Sequence, residues 1–186
     1  MFSVENTISR EQYLLQESQS TQRHEYFQGQ ITAMAGGTFN HAQVAGNAYS
    51  LLRQKLMGKS CHPMNSDMRV HTPSGLDTYP DISVYCGKPE LGDNNTTLLN
   101  PSMIIEVLSP STRDYDRGGK FAHYRSLPPL QDYILIDPEQ IMVEHFHKIS
   151  RDEWHFYIHT QASNTLKLEA LNIELSIAEL YHGVLA

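Results

Sequence analysis

Met103-Ile104-Ile105-Glu106-Val107-Leu108-Ser109 sets one carboxylate in the middle of an apolar run. Tyr79-Pro80-Asp81-Ile82-Ser83-Val84-Tyr85 does the same with an aspartate. β-Branched and aromatic residues fill these runs and turn residues bound them, so both read as strands. A carboxylate in such a run is costly to bury unless something cationic compensates it. Two that meet point to a bound cation, or equally to a structural ion pair. Two residues beyond Glu106 stands Leu108, and the nearest downstream lysine is Lys120.

Working outward, Ser9 with Gln12 three residues later resembles a capping box, opening a short helix through Leu15. His24 to Met34 reads as a hairpin turning near Gly29. Gly36-Gly37 breaks it, and Asn40 can cap a helix with Gln43 at its N3 position. Val44, Ala48, Leu51, Leu52 and Leu56 form one stripe of that helix, which should end near Gly58. Further strands fit Met68–His71, Tyr133–Ile136, Ile141–His147 and Trp154–His159, with an edge strand at Thr165–Leu168. Gly87–Pro101, polar and Gly/Asn-rich, reads as a long surface loop. A second helix is expected over Arg117–Arg125, stopped by Pro128-Pro129, and a last helical turn at Ile177–Tyr181. The pattern is that of an α+β domain, a mostly antiparallel curved sheet packed by two main helices.

At 186 residues the chain, 1–186, suits a single domain with a full core. No stretch approaches the ~18 apolar residues of a membrane span, and Met1 to Asn6 lacks the regions of a signal peptide. Cys61 and Cys86 are too few for a disulfide framework, and neither lies in a C-x-x-C motif. A cytoplasmic address is the default. The net charge of -7 argues against indiscriminate nucleic-acid binding. Just after Glu106, however, Arg113, Arg117, Lys120 and Arg125 outnumber Asp114 and Asp116. This basic island suits a phosphate-bearing ligand, or simply a solvated helix face of mixed charge.

If the two acidic strands are neighbours, Asp81 and Glu106 converge at one end of the sheet. Two carboxylates, a backbone carbonyl and waters suit Mg²⁺ or Mn²⁺. Such a cation polarises a phosphoryl oxygen and activates water, so phosphodiester hydrolysis is the natural use. Lys120, one helical turn before His123 and Tyr124, can reach back to stabilise the phosphorane charge, or it is an ordinary surface lysine. Ser109 and Thr112 read as caps of that helix rather than nucleophiles. Gly36-Gly37 reads as a plain turn, although a phosphate could approach the helix start there.

Three segments in order carry a family pattern: Tyr79-Pro80-Asp81; Ile105-Glu106-Val107-Leu108-Ser109-Pro110-Ser111-Thr112; and Asp116-Arg117-Gly118-Gly119-Lys120-Phe121-Ala122-His123-Tyr124. Together they closely resemble the Uma-two family of putative restriction endonucleases, within the PD-(D/E)XK nuclease superfamily. Phe27-Gln28-Gly29-Gln30, Met34-Ala35-Gly36-Gly37-Thr38, His41 and Tyr133-Ile134-Leu135-Ile136-Asp137-Pro138 extend the likeness to about residues 9 to 148. The resemblance implies a restriction-endonuclease-like α+β fold, a curved mixed β-sheet flanked by helices. It implies a Mg²⁺- or Mn²⁺-dependent DNA endonuclease with Asp81 and Glu106 as metal ligands. Lys120 would be a migrated substitute for the lysine absent at position 108. Glu25 is the match for an additional acidic residue, and His41 and Tyr124 are candidate accessory groups. The family usually has Glu after the hairpin glycine, where this chain has Gln30. By analogy with restriction-type enzymes, a homo-oligomer, dimer or higher, is expected.

Two other readings stand beside this one. A catalytically inactive nuclease-fold module for binding or assembly fits the acidic charge and Gln30. A histidine-held transition metal, in a barrel of the cupin kind, would use His145, His147 or their neighbours. The ordinary reading of His145, His147, His155 and His159 is that they lie on the polar faces of half-buried strands, facing solvent or an interface.

Overall fold

The computed structural model describes residues 7–185, so the reading of Met1 to Asn6 lies outside it. Ser9 caps helix α1 (Arg10–Gln19) through the reciprocal pair expected of a capping box, with Gln12 N–H donating to its hydroxyl and the Gln12 side chain accepting from Ser9 N–H. The helix runs past Leu15 to Gln19. Strands β1 (His24–Phe27) and β2 (Gln30–Ala33) form the hairpin, turning through Gln28 and Gly29, both at positive φ. Helix α2 (Phe39–Leu56) starts two residues before the expected site. Thr38, not Asn40, is its cap, accepting from His41 N–H at 3.2 Å, because the chain leaving Gly36-Gly37 meets Thr38 first.

Next come β3 (Cys61–Asn65), β4 (Arg69–His71), β5 (Asp77–Thr78), β6 (Ile82–Cys86), β7 (Leu91–Gly92), β8 (Thr97–Leu98) and β9 (Met103–Val107). A broken helical stretch then joins α3 (Arg113–Tyr115), a π-helical turn (Asp116–Lys120) and α4 (Phe121–Tyr124). The chain closes with β10 (Asp132–Asp137), β11 (Met142–Lys148), β12 (Trp154–His159), β13 (Thr165–Leu168), β14 (Ile173–Ser176) and α5 (Ile177–Leu180). Residues 87–101 are not the surface loop their composition suggests. β8 pairs in parallel with β4 and is buried, and Arg10 holds Asp93 with a two-point contact.

One six-stranded sheet, in the order β12-β11-β10-β9-β6-β3, organises the molecule. Its β9–β10 pair is parallel and its other pairs are antiparallel, which makes the sheet mixed, with helices on both faces. The crossover between β9 and β10 carries α3 and α4. A second sheet, β2-β1-β5-β4-β8-β7, flanks it, and β13–β14 forms a separate ribbon. Alternation decides what each face of the central sheet touches. Ile105, Val107, Ile134, Ile136 and Val143 pack against the α2 stripe and the β13–β14 ribbon. Ile104, Leu108, Tyr133 and Leu135 pack beneath Tyr124 and Leu127. Covered on both faces, β9 is buried along its whole length, which is why its sequence is nearly unbroken hydrophobic. Full burial of each such side chain contributes roughly 1.5–3 kcal/mol, so Glu106 in their midst needs its own compensation.

The two cysteines face each other across β3 and β6 and are joined by a disulfide, with Cα atoms 4.0 Å apart. Among the described residues no helix is long and apolar enough to cross a membrane.

Candidate active site

The β6–β9 ladder explains why the two carboxylates meet. Its last paired residues are Ile82 and Ile105, so Asp81 and Glu106 fall at the point where pairing stops. Asp81 therefore sits one residue before β6, not inside the strand as its sequence suggests. Pro80, with no N–H to give, precedes it where the strand would otherwise extend. Side chains continue what the backbone gives up. Asp81 N–H donates to Glu106 Oε2 at 3.3 Å, and Val107 N–H donates to Asp81 Oδ2 at 2.7 Å.

The third residue arrives from above. Glu106 shares its face of the sheet with Leu108 and, across the β9–β10 ladder, with Leu135. The π-helical turn lies over that face and presents Lys120, whose Nζ is 3.1 Å from Glu106 Oε1, 2.9 Å from Glu25 Oε1 and 3.6 Å from Asp116 Oδ1. π-Helical turns recur at functional sites because the extra residue redirects side chains. Gly119 permits this one to close, since a Cβ there would come within 2.8 Å of the Tyr115 ring. Tyr124, four residues after Lys120, donates its hydroxyl to Glu106 Oε1 at 2.7 Å. Thr78 donates to Glu25 Oε1 at 2.5 Å. Tyr133, also buried, donates to the Asp116 carbonyl at 2.9 Å.

Burial sets the electrostatics. Glu106, only 4% exposed, is pushed up to about 8 by loss of solvent, with Asp116 and Asp81 adding repulsion and Lys120 opposing both. Burial works against the Lys120 ammonium too, but Glu106, Glu25 and Asp116 outweigh it and hold the amine well above the ordinary lysine range. Burial also raises Asp116, a shift that Lys120 and Thr112 limit. His41 Nε2 stands 3.4 Å from Asp81 Oδ2, and that contact raises the imidazole against the pull of its burial. Gly37 allows the ring to sit there, because a Cβ would lie 2.5 Å from Nδ1.

Asp81, Glu106, Lys120, Glu25 and His41 thus line one open cleft of about 630 Å³, with Tyr124 behind its floor. Gln30 lines it as well. Asp116 is the member that sequence reasoning missed, counted only as a charge. Its signal is the stripe Asp116, Lys120, Tyr124 at helical spacing. The basic island is not a free phosphate-binding surface. Arg117 pairs with Glu144 at 2.9 Å, Arg113 with Asp137 at 3.6 Å, Arg125 lies over the Phe121 ring, and Lys120 is enclosed by acids. The partners come from distant strands, outside any window of sequence. Ser109 and Thr112 make no side-chain cap; Thr112 donates instead to Asp116 Oδ2 at 2.6 Å.

Four carboxylates therefore meet one ammonium and one imidazole, and Asp116 Oδ1 is buried without a hydrogen bond. Such a surplus of hard oxygen donors matches Mg²⁺ or Mn²⁺ in kind, although no three side chains of the cleft bring ligand atoms within 4.8 Å of one another among the described residues. Asp81 and Glu106, at the cleft end of the ladder, are the residues suited to hold it.

The chain matches the model of the family described as "Uma2: Putative restriction endonuclease" over residues 10–179. It is 36% identical over 178 residues to the uncharacterized protein slr1290 of Synechocystis sp., covering 95% of this chain and 93% of that protein. A second Synechocystis protein, the uncharacterized sll1609, is 36% identical over 149 residues, covering 79% of this chain and 84% of its own length. Among solved structures, a "putative nuclease belonging to DUF820" from Anabaena variabilis superposes with a TM-score of 0.75. That superposition covers 92% of this chain and 98% of the other at 18% identity, a likeness of fold.

Proposed function

The chain belongs to the Uma2 family, described as putative restriction endonucleases, and we propose that it is a metal-dependent nuclease hydrolysing phosphodiester bonds of DNA in this cleft. The observation that carries the reading is the surplus of carboxylates around a single buried lysine, with Asp116 Oδ1 3.6 Å from the amine and without a hydrogen bond. A divalent Mg²⁺ or Mn²⁺ held by Asp81 and Glu106 supplies charge to polarise a phosphoryl oxygen and to acidify a water.

The chain's own groups do the rest. Lys120, fixed by Glu25 and Asp116, keeps its ammonium beside Glu106, where negative charge develops on the phosphorane. Tyr124 locks the Glu106 carboxylate in one orientation, and Val107 N–H does the same for Asp81. His41, with Nε2 3.4 Å from Asp81 Oδ2, would give its proton to the leaving oxygen. The test is cleavage: wild type should cut plasmid and single-stranded DNA with Mg²⁺ or Mn²⁺, and Asp81→Ala should abolish that activity while keeping the native circular dichroism. Cleavage that survives Asp81→Ala unchanged refutes the assignment.

One observation favours the inactive binding or assembly module instead. The carboxylates already satisfy one another's backbone N–H groups and the Lys120 amine, a set stable as a purely structural network. That reading predicts no Mg²⁺ or Mn²⁺ heat in calorimetry that is lost in Asp81→Ala, and no cleavage. Under the nuclease reading the working form is a homo-oligomer, a dimer or higher, since cutting two strands needs two sites.

A further inference from the structure

The central sheet carries a second polar cluster on the face opposite Glu106. Asp132 stands directly across from His147 in the β10–β11 ladder, and His145 lies two residues along β11, on the same face. His145 Nε2 and His147 Nδ1 each lie 2.7 Å from Asp132 Oδ1. Among the described residues, this is the group of three His, Cys, Asp or Glu side chains whose ligand atoms all lie within 4.8 Å of one another. These histidines are not the solvent-facing residues that alternation suggests: Asp132 is fully buried, His145 nearly so, and the β13–β14 ribbon covers this side. Asp132 Oδ2 is buried and makes no hydrogen bond.

A buried carboxylate with an orphaned oxygen is costly, and a missing ion is one of the few explanations that removes the cost. The ligand chemistry narrows the ion. Two imidazoles and one carboxylate suit a borderline transition cation, whereas Mg²⁺ prefers oxygen alone. The cluster opens on a cavity of about 310 Å³ shared with Tyr157, His159 and Glu169, which leaves a coordination position beyond the three residues. His159, opposite Val143 in the β11–β12 ladder, projects from the same face.

We propose that Asp132, His145 and His147 bind a zinc-type divalent cation, at a site separate from the Asp81–Glu106 cleft. The ion would replace the ring–carboxylate hydrogen bonds at His145 Nε2 and His147 Nδ1, each neutral imidazole carrying its proton on the other ring nitrogen. It ties β10 to β11 beneath the ribbon.

The test is a titration of chelator-treated full-length protein with Co²⁺, read by visible absorption and followed by competition with Zn²⁺. One equivalent of Co²⁺ should give the intense band of a four- or five-coordinate site, and Zn²⁺ should erase it. His147, the least buried ligand, gives the safest variant. Losing even an outer-shell partner of a metal site costs 10–100-fold in affinity, so His147→Ala should weaken Co²⁺ by more than about 100-fold with native circular dichroism retained. Asp81→Ala should leave the band in place. Absence of the band in wild type, or a band indifferent to both His147→Ala and His145→Ala, overturns the site. A band lost in Asp81→Ala instead assigns the ion to the other cleft and equally overturns it. None of these outcomes depends on whether the protein cuts DNA.

Discussion

Glu106→Gln tests the electrostatic core of the site without an activity assay. Glu106 is only 4% exposed, and its carboxyl is raised by burial from an ordinary 4.5 to about 8. A folded-state pKa above the unfolded value means that the native state binds more protons over the interval between them. The stability this contributes is full below about pH 4.5 and is lost as pH rises through about 8. One pKa unit is about 1.4 kcal/mol, so the loss has a maximal slope of about 1.4 kcal/mol per pH unit and a ceiling of roughly 5 kcal/mol. Lys120, 3.1 Å away, couples to the carboxylate, so the measured loss should fall below that ceiling. Urea unfolding in chelator, at pH steps from 5 to 9, should show wild type losing stability relative to Glu106→Gln, which carries no ionisable group there. Asp116 and His41 are also raised, and because Glu106 helps to raise His41, the difference reports Glu106 together with its coupling to its neighbours. Saturating Mn²⁺ should flatten the wild-type slope by holding the carboxylate ionised. Parallel pH profiles for the two proteins in chelator would refute the argument, because they would mean that Glu106 titrates as an ordinary exposed glutamate.

Two further substitutions probe the same network. Lys120→Met strands Glu106, Glu25 and Asp116 without their shared counter-charge; removing one partner of a buried pair costs about 3–5 kcal/mol, so urea unfolding at pH 8 should register a loss of that order. Tyr124→Phe deletes a donor to buried Glu106 Oε1 at the cost of about 1–3 kcal/mol, and since that bond lowers the carboxyl, the pH at which wild-type stability falls should move upward in the variant.

Long, strongly patterned elements were legible in the sequence. The capping box at Ser9, the hairpin at Gly29, the α2 stripe and strands β9 to β12 each carry a local signal, and each forms where that signal lies. Three kinds of feature were not legible. Two-residue strands such as β5, β7 and β8 are too short for any periodicity, so residues 87–101 read as loop. Local competition hid the α2 cap, where Thr38 and Asn40 are both competent and only the exit from the glycine pair decides. Partners fixed by register stayed hidden as well. Arg117 with Glu144, and Asp132 with His145 and His147, are neighbours only once β10 and β11 are paired. Of the candidate site, Asp81, Glu106, Lys120, Glu25 and His41 were named from their residues or from family likeness. Asp116 was not, because in sequence it is one charge among several.

The position of Lys120 follows from Leu108. A residue two places after Glu106 points to the same face of β9, so an amine there would emerge from the strand itself. In this chain that place belongs to the hydrophobic cluster, where Leu108 is 1% exposed and packs with Tyr124 and Leu135. Leu108 contributes apolar burial next to Glu106, and burial is the largest cause of the raised carboxyl. Leucine at this place therefore does two things: it leaves the strand without a cation of its own and deepens the need for one. The helical crossover supplies it from the opposite direction, through a π-helical turn that Gly119 allows to close on Tyr115. Tyr124, one turn further on the same stripe, gives Glu106 Oε1 its second partner. Strand and helix thus depend on each other. An amine restored at position 108 alone would enter the packed cluster beneath Tyr124 and compete with Lys120 for Glu106. Leu108→Lys should accordingly lower stability, and Leu108→Lys combined with Lys120→Met should recover less than either change costs, because the amine returns but the packing does not.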